Sequence, residues 1–215
     1  AFTTLAFSHN KKNYYSLECL SSVAGATISW LKNNLKLIDK VSESESLSKE
    51  IEDSGGVALI PAFTGLGPPF WNANARAAFL GINASTTKKQ IVRAALESVA
   101  FQMIVYLEFL QKDNKFELKN LIVDGGMVKN QLFLQMIADL LKIEIMVPDI
   151  EEMSLYGALL FGIQKQKNIS ELSDLNKFSV KRKTIKYQEN QGIQKSYEYW
   201  KKLIDKYFKS NQEKN

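Results

Sequence analysis

The chain has 215 residues, of which 45% are hydrophobic and 24% are charged, with a formal net charge of +5. This is the composition of an ordinary globular protein, and its basic residues are too dispersed to indicate a nucleic-acid surface. A single cysteine excludes a disulfide framework and favours a reducing cytoplasm as the location of the protein. No apolar run reaches the roughly 18 residues of a membrane-spanning segment, so no membrane is expected among the partners.

The first segment predicts a β-hairpin. The stretches "AFTTLAFS" and "YYSLECL" have strand-like composition, and "HNKKN" between them is typical of a turn. The hairpin carries His9 and Cys19, the only histidine and cysteine of the chain. They leave two interpretations open, a Cys–His catalytic pair or a small buried cysteine, and the pattern favours the second.

The next segment, "SSVAGATISWLKNNLKLI", has apolar residues at helical spacing, with Ser21 or Ser22 as a helix cap. Gly25 lies at the start of this helix, where alanine would be more favourable by about 1 kcal/mol. Either a neighbouring strand or a ligand therefore comes close to Gly25, and taken alone the packing explanation is favoured. A polar second helix is predicted to end at Gly55 and Gly56.

A buried strand, "VALIPAF", a long loop and a short strand, "AFLGI", come next. The longest helix follows, capped by Ser85 or Thr86 and continuing to Asp113. Glu97 on this helix, and Asp139 on a later one, are predicted to be surface or capping residues.

In the last third, strands alternate with helices. The strands are "LKNLIVDGG" and "IEIMV", and the helices are "NQLFLQMIADLL", "EMSLYGALLFGIQKQ" and an amphipathic one over about residues 191–209. Strands first, followed by this alternation, predict an α/β fold with a mixed sheet and flanking helices. Because the composition does not change abruptly, residues 1–215 are expected to form one domain.

The stretch Asp124-Gly125-Gly126 ends a predicted strand where a helix begins. Ligands of α/β proteins bind at this end of strands, and glycine lets a ligand approach the backbone. Free amides at the helix start favour anions, so a phosphate or nucleotide could bind there, with Asn130 beside a base or ribose. The alternative is a tight turn without a ligand, because the sequence matches neither a P-loop nor the GxGxxG pattern.

Several segments together resemble the glycerol kinases of the FGGY family of carbohydrate kinases, over their C-terminal half. The resemblance includes "IPAFTGLGPPFW", the signature-like stretch from Ala77 to Glu97, "VDGGMVKNQLFLQMIADLL" and "MSLYGALLFG". It implies an actin-like (ribonuclease H-like) ATPase fold, ATP or ADP with Mg²⁺ as ligands, and transfer of a phosphoryl group to glycerol or a related polyol. It also implies a homo-oligomer.

Four nucleotide-binding residues are implied by this resemblance. Gly126 matches a glycine at the phosphates, Asn130 an adenine-side contact and Gly25 another nucleotide-binding glycine. Ser29 replaces the family's glutamine, so its direct contact with the nucleotide is in question. Asn72-Ala73 likewise replace the usual Asp-Pro, whereas the family's arginine is kept as Arg76, with a structural role at least as well favoured.

No catalytic residue and no metal ligand are expected in this chain. The family's catalytic aspartate belongs to an N-terminal kinase domain, which would be the partner of this part, and Asp124 is instead expected to orient the loop or an Mg²⁺-bound water. Two alternatives stay open: a kinase of another sugar or polyol, and a non-catalytic half that binds nucleotide or regulates. Because half a cleft cannot position both substrates, the chain alone is predicted to have no turnover.

Overall fold

A computed structural model describes residues 2–19, 23–114 and 117–208. The chain divides into two compact units, one of Ala1–Leu118 with Asn190–Asn215 and one of Lys119–Glu189. The described residues form the following strands and α-helices: β1 Phe2–His9, β2 Lys12–Glu18, α1 Ala24–Asn33, α2 Glu43–Lys49, β3 Ala58–Ile60, β4 Ala78–Leu80, α3 Lys88–Asn114, β5 Leu121–Ile122, α4 Gln131–Leu141, β6 Ile145–Pro148, α5 Met153–Gln166, β7 Arg182–Ile185 and α6 Gln191–Tyr207.

The first unit is organised around helix α3. This helix packs against α1, α2, β3 and α6, and its apolar residues are buried along most of its length. By length and composition alone this helix could cross a membrane, but 78% of its most apolar 18-residue stretch is buried inside the structure. Its apolar character is therefore accounted for by its position in the core of this unit.

The N-terminus of α3 is fixed by a capping box. The side-chain Oε1 of Gln90 accepts hydrogen bonds from the backbone N–H of Thr87 at 2.6 Å and from its hydroxyl at 2.9 Å. The cap is thus Thr87, and the prediction of Ser85 or Thr86 was wrong by one or two residues. The predicted caps Ser21 and Ser22 of α1, and the predicted end of α6 at Lys209, lie outside the described residues.

The second unit holds a three-stranded sheet in the order β5-β6-β7. Strands β5 and β6 are parallel, whereas β6 and β7 are antiparallel, so the predicted mixed sheet is confirmed. Two 3₁₀ helices, Gly126–Lys129 and Leu172–Phe178, complete this unit. Strand β7 was not predicted, because its sequence, RKTI, is polar and exposed except at Ile185.

Glu97 and Asp139 are both buried, so their prediction as surface or capping residues was wrong. Glu97 is 2% exposed and accepts a hydrogen bond at 2.7 Å from Nε of Arg93, one helical turn earlier. Asp139 is 4% exposed and accepts hydrogen bonds from the Gln135 side chain and from the backbone N–H of Gln188, each at 2.7 Å. Helical spacing alone could not show that each carboxylate is buried and accepts hydrogen bonds from neighbouring groups.

The environment of Glu97 makes stability depend on pH. Burial raises the pKa of Glu97 above 4.5, although Arg93 and a hydrogen bond from Ser54 act in the opposite direction. Between 4.5 and the higher pKa of the folded state, the folded protein binds more protons at Glu97 than the unfolded protein does. The contribution of this group to stability is therefore fully present below that window and is lost as the pH rises through it.

Replacing Glu97 with glutamine removes this titration. We expect the unfolding free energy of the wild type, relative to Glu97→Gln, to fall as the pH is raised from about 4.5 towards neutrality. Urea unfolding of both proteins at a series of pH values measures the difference. A difference that is constant, or that grows in favour of the wild type, would contradict a raised pKa.

The hairpin of β1 and β2 does not bring His9 and Cys19 together. His9 pairs with Lys12 beside the turn, whereas Cys19 follows Glu18, which pairs with Phe2 at the opposite end. At about 3.3 Å per residue, the length of the hairpin separates the two side chains by roughly 20 Å. The alternative of a Cys–His catalytic pair is therefore excluded.

Candidate functional site

The Asp-Gly-Gly stretch follows strand β5 after one residue, Val123, and precedes a helical segment. Gly125 has φ +91° and ψ −179°, a combination that only glycine adopts readily. The chain bends at this residue and enters the 3₁₀ helix Gly126–Lys129, which leads into α4. Gly125, which the sequence did not single out as a site residue, is therefore the position in this turn where the backbone conformation favours glycine.

Gly126 leaves its backbone accessible. A Cβ atom built on Gly126 would meet no heavy atom within 4 Å. Among the described residues, the structure records no hydrogen-bond acceptor for the backbone amides of Gly126 and Met127, whereas the Val128 amide bonds to the carbonyl of Gly125 at 3.1 Å. Two successive backbone amides without a recorded acceptor, at the start of a helical segment, are a feature that can bind an anion such as a phosphate.

Asn130 occupies the N-cap of α4. Its Oδ1 accepts a hydrogen bond at 2.9 Å from the backbone N–H of Phe133, so the side chain has a structural task. This bond fixes the position of the amide group, one turn after Gly126. A contact between that amide group and a nucleotide stays a prediction.

Gly25 and Ser29 belong to the first unit, whereas Gly126 and Asn130 belong to the second. Gly25 is exposed near the start of α1, and Ser29 is half-buried one turn later. Within the part of the chain that the structure describes, nothing lies within 4 Å of a Cβ built on Gly25. The favoured packing explanation for this glycine was therefore wrong, and the approach of a ligand stays a prediction.

The loop after β3 is held by Asn72. Its Oδ1 accepts hydrogen bonds from the backbone amides of Asn74 and Ala75 at 3.1 and 3.0 Å, and its Nδ2 donates to the carbonyl of Phe208 at 2.7 Å. Arg76 donates to the carbonyls of Ala73 and Ala75 at 3.0 and 2.8 Å, which is a structural role. Asparagine at position 72 thus anchors the loop to the end of α6.

The two adjacent glycines are expected to respond differently to substitution. Gly125→Ala should lower the free energy of unfolding by about 1–3 kcal/mol, because alanine is strained at that backbone conformation. Gly126→Ala should change it by less than about 1 kcal/mol, since its Cβ meets open space and its φ is not positive. Urea unfolding of the two variants checks this, and equal losses would contradict the described turn.

No protein-only metal site is found among the described residues, where no group of three or more histidine, cysteine, aspartate or glutamate side chains could hold an ion. Asp124 is exposed and immediately precedes the two glycines in the chain. One carboxylate next to the turn with the Gly126 and Met127 amides is compatible with Mg²⁺ that is held mainly by phosphates and water.

Comparison with known proteins gives a consistent assignment. Residues 1–164 match the family model described as the FGGY family of carbohydrate kinases, C-terminal domain. The chain is 38% identical over 212 residues to the glycerol kinase of Alkaliphilus metalliredigens, covering 96% of this chain and 42% of the relative. It is 34% identical over 207 residues to glycerol kinase 2 of Thermotoga maritima, covering 95% and 41%.

Solved structures of carbohydrate kinases are similar to this chain in fold. The structure of Plasmodium falciparum glycerol kinase with ADP superposes with a TM-score of 0.84 at 32% identity, covering 95% of this chain and 41% of that one. A xylulose kinase from Lactobacillus acidophilus, at 20% identity over 85% of this chain and 38% of its own, shares the fold with a TM-score of 0.71. The predicted α/β fold of the actin-like ATPases is thereby confirmed.

The chain spans about 41–42% of the length of the curated relatives described above. The match begins at residue 1 and includes the hairpin, the loop after β3, helix α3 and the Asp-Gly-Gly turn. This chain belongs to the FGGY family of carbohydrate kinases, within the C-terminal domain of that family.

Proposed function

We propose that this chain is the nucleotide-binding C-terminal part of an ATP-dependent glycerol kinase, which phosphorylates glycerol to glycerol 3-phosphate. The observation that carries the proposal is the turn at Gly125 and Gly126, where a Cβ on Gly126 would meet no heavy atom within 4 Å and two successive backbone amides have no recorded acceptor among the described residues. The likeness to a glycerol kinase with ADP at 32% identity supports a nucleotide as the anion.

Each residue in the proposed site has a distinct task. Gly125 makes the turn, and Gly126 lets a phosphate come close to the backbone amides. Asn130, held by its cap bond, would present its amide group to the adenosine side of the nucleotide. Gly25 and Ser29 would contribute further contacts, the shorter Ser29 through a hydroxyl in place of a longer amide side chain.

Mg²⁺ would neutralise charge on the transferred phosphates, and Asp124 could accept a hydrogen bond from one of its waters. Phosphoryl transfer depends mainly on positioning and electrostatic stabilisation. The residues described here bind and orient one substrate, so the base that activates glycerol would come from the remaining part of the protein. The isolated chain is accordingly proposed to bind nucleotide without turnover, and a cytoplasmic location and homo-oligomeric assembly stay predictions.

Glycerol is proposed over other polyols because the curated relatives at 34–38% identity are glycerol kinases. The xylulose kinases match at about 20% identity, which supports the fold alone. The segment from Gly65 to Trp71 also follows the glycerol kinase version of its loop, as the sequence indicated.

The proposal is tested by calorimetric titration of this chain with Mg-ADP. We expect saturable binding with a Kd of about 1 mM or tighter, and at least a tenfold weaker Kd in Gly126→Val, about 1.4 kcal/mol or more. The matched control is Gly162→Val on α5, since a Cβ there also meets open space. Absence of binding in the folded wild type, or equal weakening in both variants, would contradict the proposal.

A further inference from the structure

An ion pair between Lys129 and Glu151 connects two loops at one edge of the sheet in the second unit. Strands β5 and β6 are parallel neighbours, and the backbone N–H of Val123 donates to the carbonyl of Met146 at 3.0 Å. The Asp-Gly-Gly turn follows β5 and Glu151 follows β6, so both lie beyond the carboxyl ends of these strands. Lys129 Nζ and Glu151 Oε1 are 2.9 Å apart. The pair therefore lies at the edge of the sheet where α/β proteins bind ligands.

Lys129 shares a face of the turn with Gly126. The two residues are the last and the first of the 3₁₀ helix Gly126–Lys129. Residues three apart in a 3₁₀ helix lie one above the other. Lys129 is therefore attached one helical turn beyond the amides of Gly126 and Met127, for which the described part of the chain records no acceptor.

Lys129 is also the only cation of these two loops. Residues 123–130 and 149–152, all of which the structure describes, contain a single lysine or arginine and four carboxylates, those of Asp124, Asp149, Glu151 and Glu152. An anion that approaches the turn would be repelled by the carboxylates unless a positive charge offsets them. Lys129 is the side chain of these loops that can provide this charge.

The bond between Lys129 and Glu151 can be exchanged for another. The two side chains are 68% and 74% exposed, and exposed ion pairs of this kind contribute little to stability. A terminal phosphate carries a charge of about −1.5 to −2 and three acceptor oxygens, which makes it a stronger partner than one carboxylate. Exposed side chains change rotamer within nanoseconds, so Glu151 does not hold Lys129 against such a partner.

We propose that Lys129 exchanges Glu151 for a phosphate oxygen when a nucleotide binds at the Gly126 turn. The inference rests on the proposed function, because it adds a residue to the nucleotide site at positions 124–130. Lys129 supplies a charge-assisted hydrogen bond to the phosphates in addition to the two backbone amides. Glu151 keeps the cation paired in the absence of nucleotide, and it competes with the phosphate for Lys129.

The exchange is tested by calorimetric titration with Mg-ADP at an ionic strength of about 0.02 M. Lys129→Met should weaken the Kd about threefold to tenfold, whereas Lys129→Arg should retain most of the affinity because it keeps the charge. Lys119→Met is the matched control, since this exposed lysine precedes β5 at the opposite end of the strand. An unchanged Kd in Lys129→Met, or equal weakening by Lys119→Met, would overturn the proposal.

The complementary substitution is Glu151→Gln, which removes the competing carboxylate. It should tighten Mg-ADP binding about twofold to fivefold, as expected for the loss of an exposed ion pair that opposes binding. Glu144→Gln removes the same charge just before β6, at the other end of that strand, and should not tighten binding. No tightening in Glu151→Gln, or equal tightening in both variants, would contradict the exchange.

Ionic strength distinguishes a phosphate contact from a structural role of Lys129. The difference in Kd between the wild type and Lys129→Met should shrink below about twofold at about 0.5 M KCl, because salt screens exposed charges. A difference that persists at this concentration would show that Lys129 acts by shaping the turn, which would overturn the proposal. Absence of Mg-ADP binding in the folded wild type would contradict the proposed function as well, whereas binding that Lys129→Met leaves unchanged would contradict this inference alone.

Discussion

Trp200→Ala is expected to lower the free energy of unfolding by about 3–5 kcal/mol, one of the two largest losses that we anticipate in this protein. Trp200 is 1% exposed, and its ring packs beside those of Phe101 and Tyr197. Its Nε1–H donates to the backbone carbonyl of Leu59 at 2.8 Å, which connects α6 to β3. Truncation would leave a cavity and a buried carbonyl without its donor.

The loss at Trp200 is measured by urea unfolding and compared with Tyr199→Ala. Tyr199 is the preceding residue on α6 and is 42% exposed, so its truncation should cost no more than about 0.5 kcal/mol. Trp200→Phe should fall between the two, because it keeps an aromatic ring but removes the hydrogen bond. A loss below about 1 kcal/mol for Trp200→Ala would show that α6 does not pack on β3 as described.

The second large effect is expected from Arg93→Met, which should lower the free energy of unfolding by about 3–5 kcal/mol. Arg93 and Glu97 are both buried, and Arg93 also donates from Nη1 to the carbonyl of Ser48 at 2.9 Å. Methionine preserves much of the side-chain volume but leaves the Glu97 carboxyl without its cation. The carbonyl of Ser48 loses a donor as well, so the end of α2 is no longer held to α3.

A double-mutant cycle separates the charge pair from simple packing. Glu97→Leu alone should also destabilise, whereas Arg93→Met combined with Glu97→Leu should recover much of the loss, because neither charge is then buried alone. Lys49 and Glu45 form an ion pair at 2.5 Å with the same i,i+4 spacing, in which the lysine is exposed and the glutamate is half-buried, and Glu45→Ala should lower the free energy of unfolding by no more than about 1 kcal/mol. Additive losses in the cycle would contradict a coupled buried pair.

The glycine turn illustrates what could be predicted from local sequence. An acid and two glycines between an apolar run and a helical pattern located the turn, the strand before it and the helix after it. The different roles of Gly125 and Gly126 could not be predicted from the sequence, because both glycines are compatible with a tight turn. Only the structure shows that Gly125 has the positive φ that favours glycine, whereas Gly126 has open space at the position of a Cβ.

The buried carboxylates illustrate what local sequence could not show. Glu97 and Asp139 occupy helical positions that suit a surface residue, and their donors come partly from distant segments, such as Gln188 for Asp139. Strand β7 was missed for a related reason: its residues RKTI are polar, and pairing with β6 is what makes them a strand. Asn130 was expected to be a ligand contact, yet its Oδ1 is also required by α4.

By itself, the sequence determined the class of fold, the order of most helices and strands, the position of the Asp-Gly-Gly turn and the resemblance to the FGGY kinases. These properties follow from periodicity, turn residues and motifs, which are encoded within a few neighbouring residues. Only the tertiary structure decided which polar groups are buried and paired, and which glycine backbone is accessible. These depend on contacts between residues far apart in the chain, whose free energies no local pattern records.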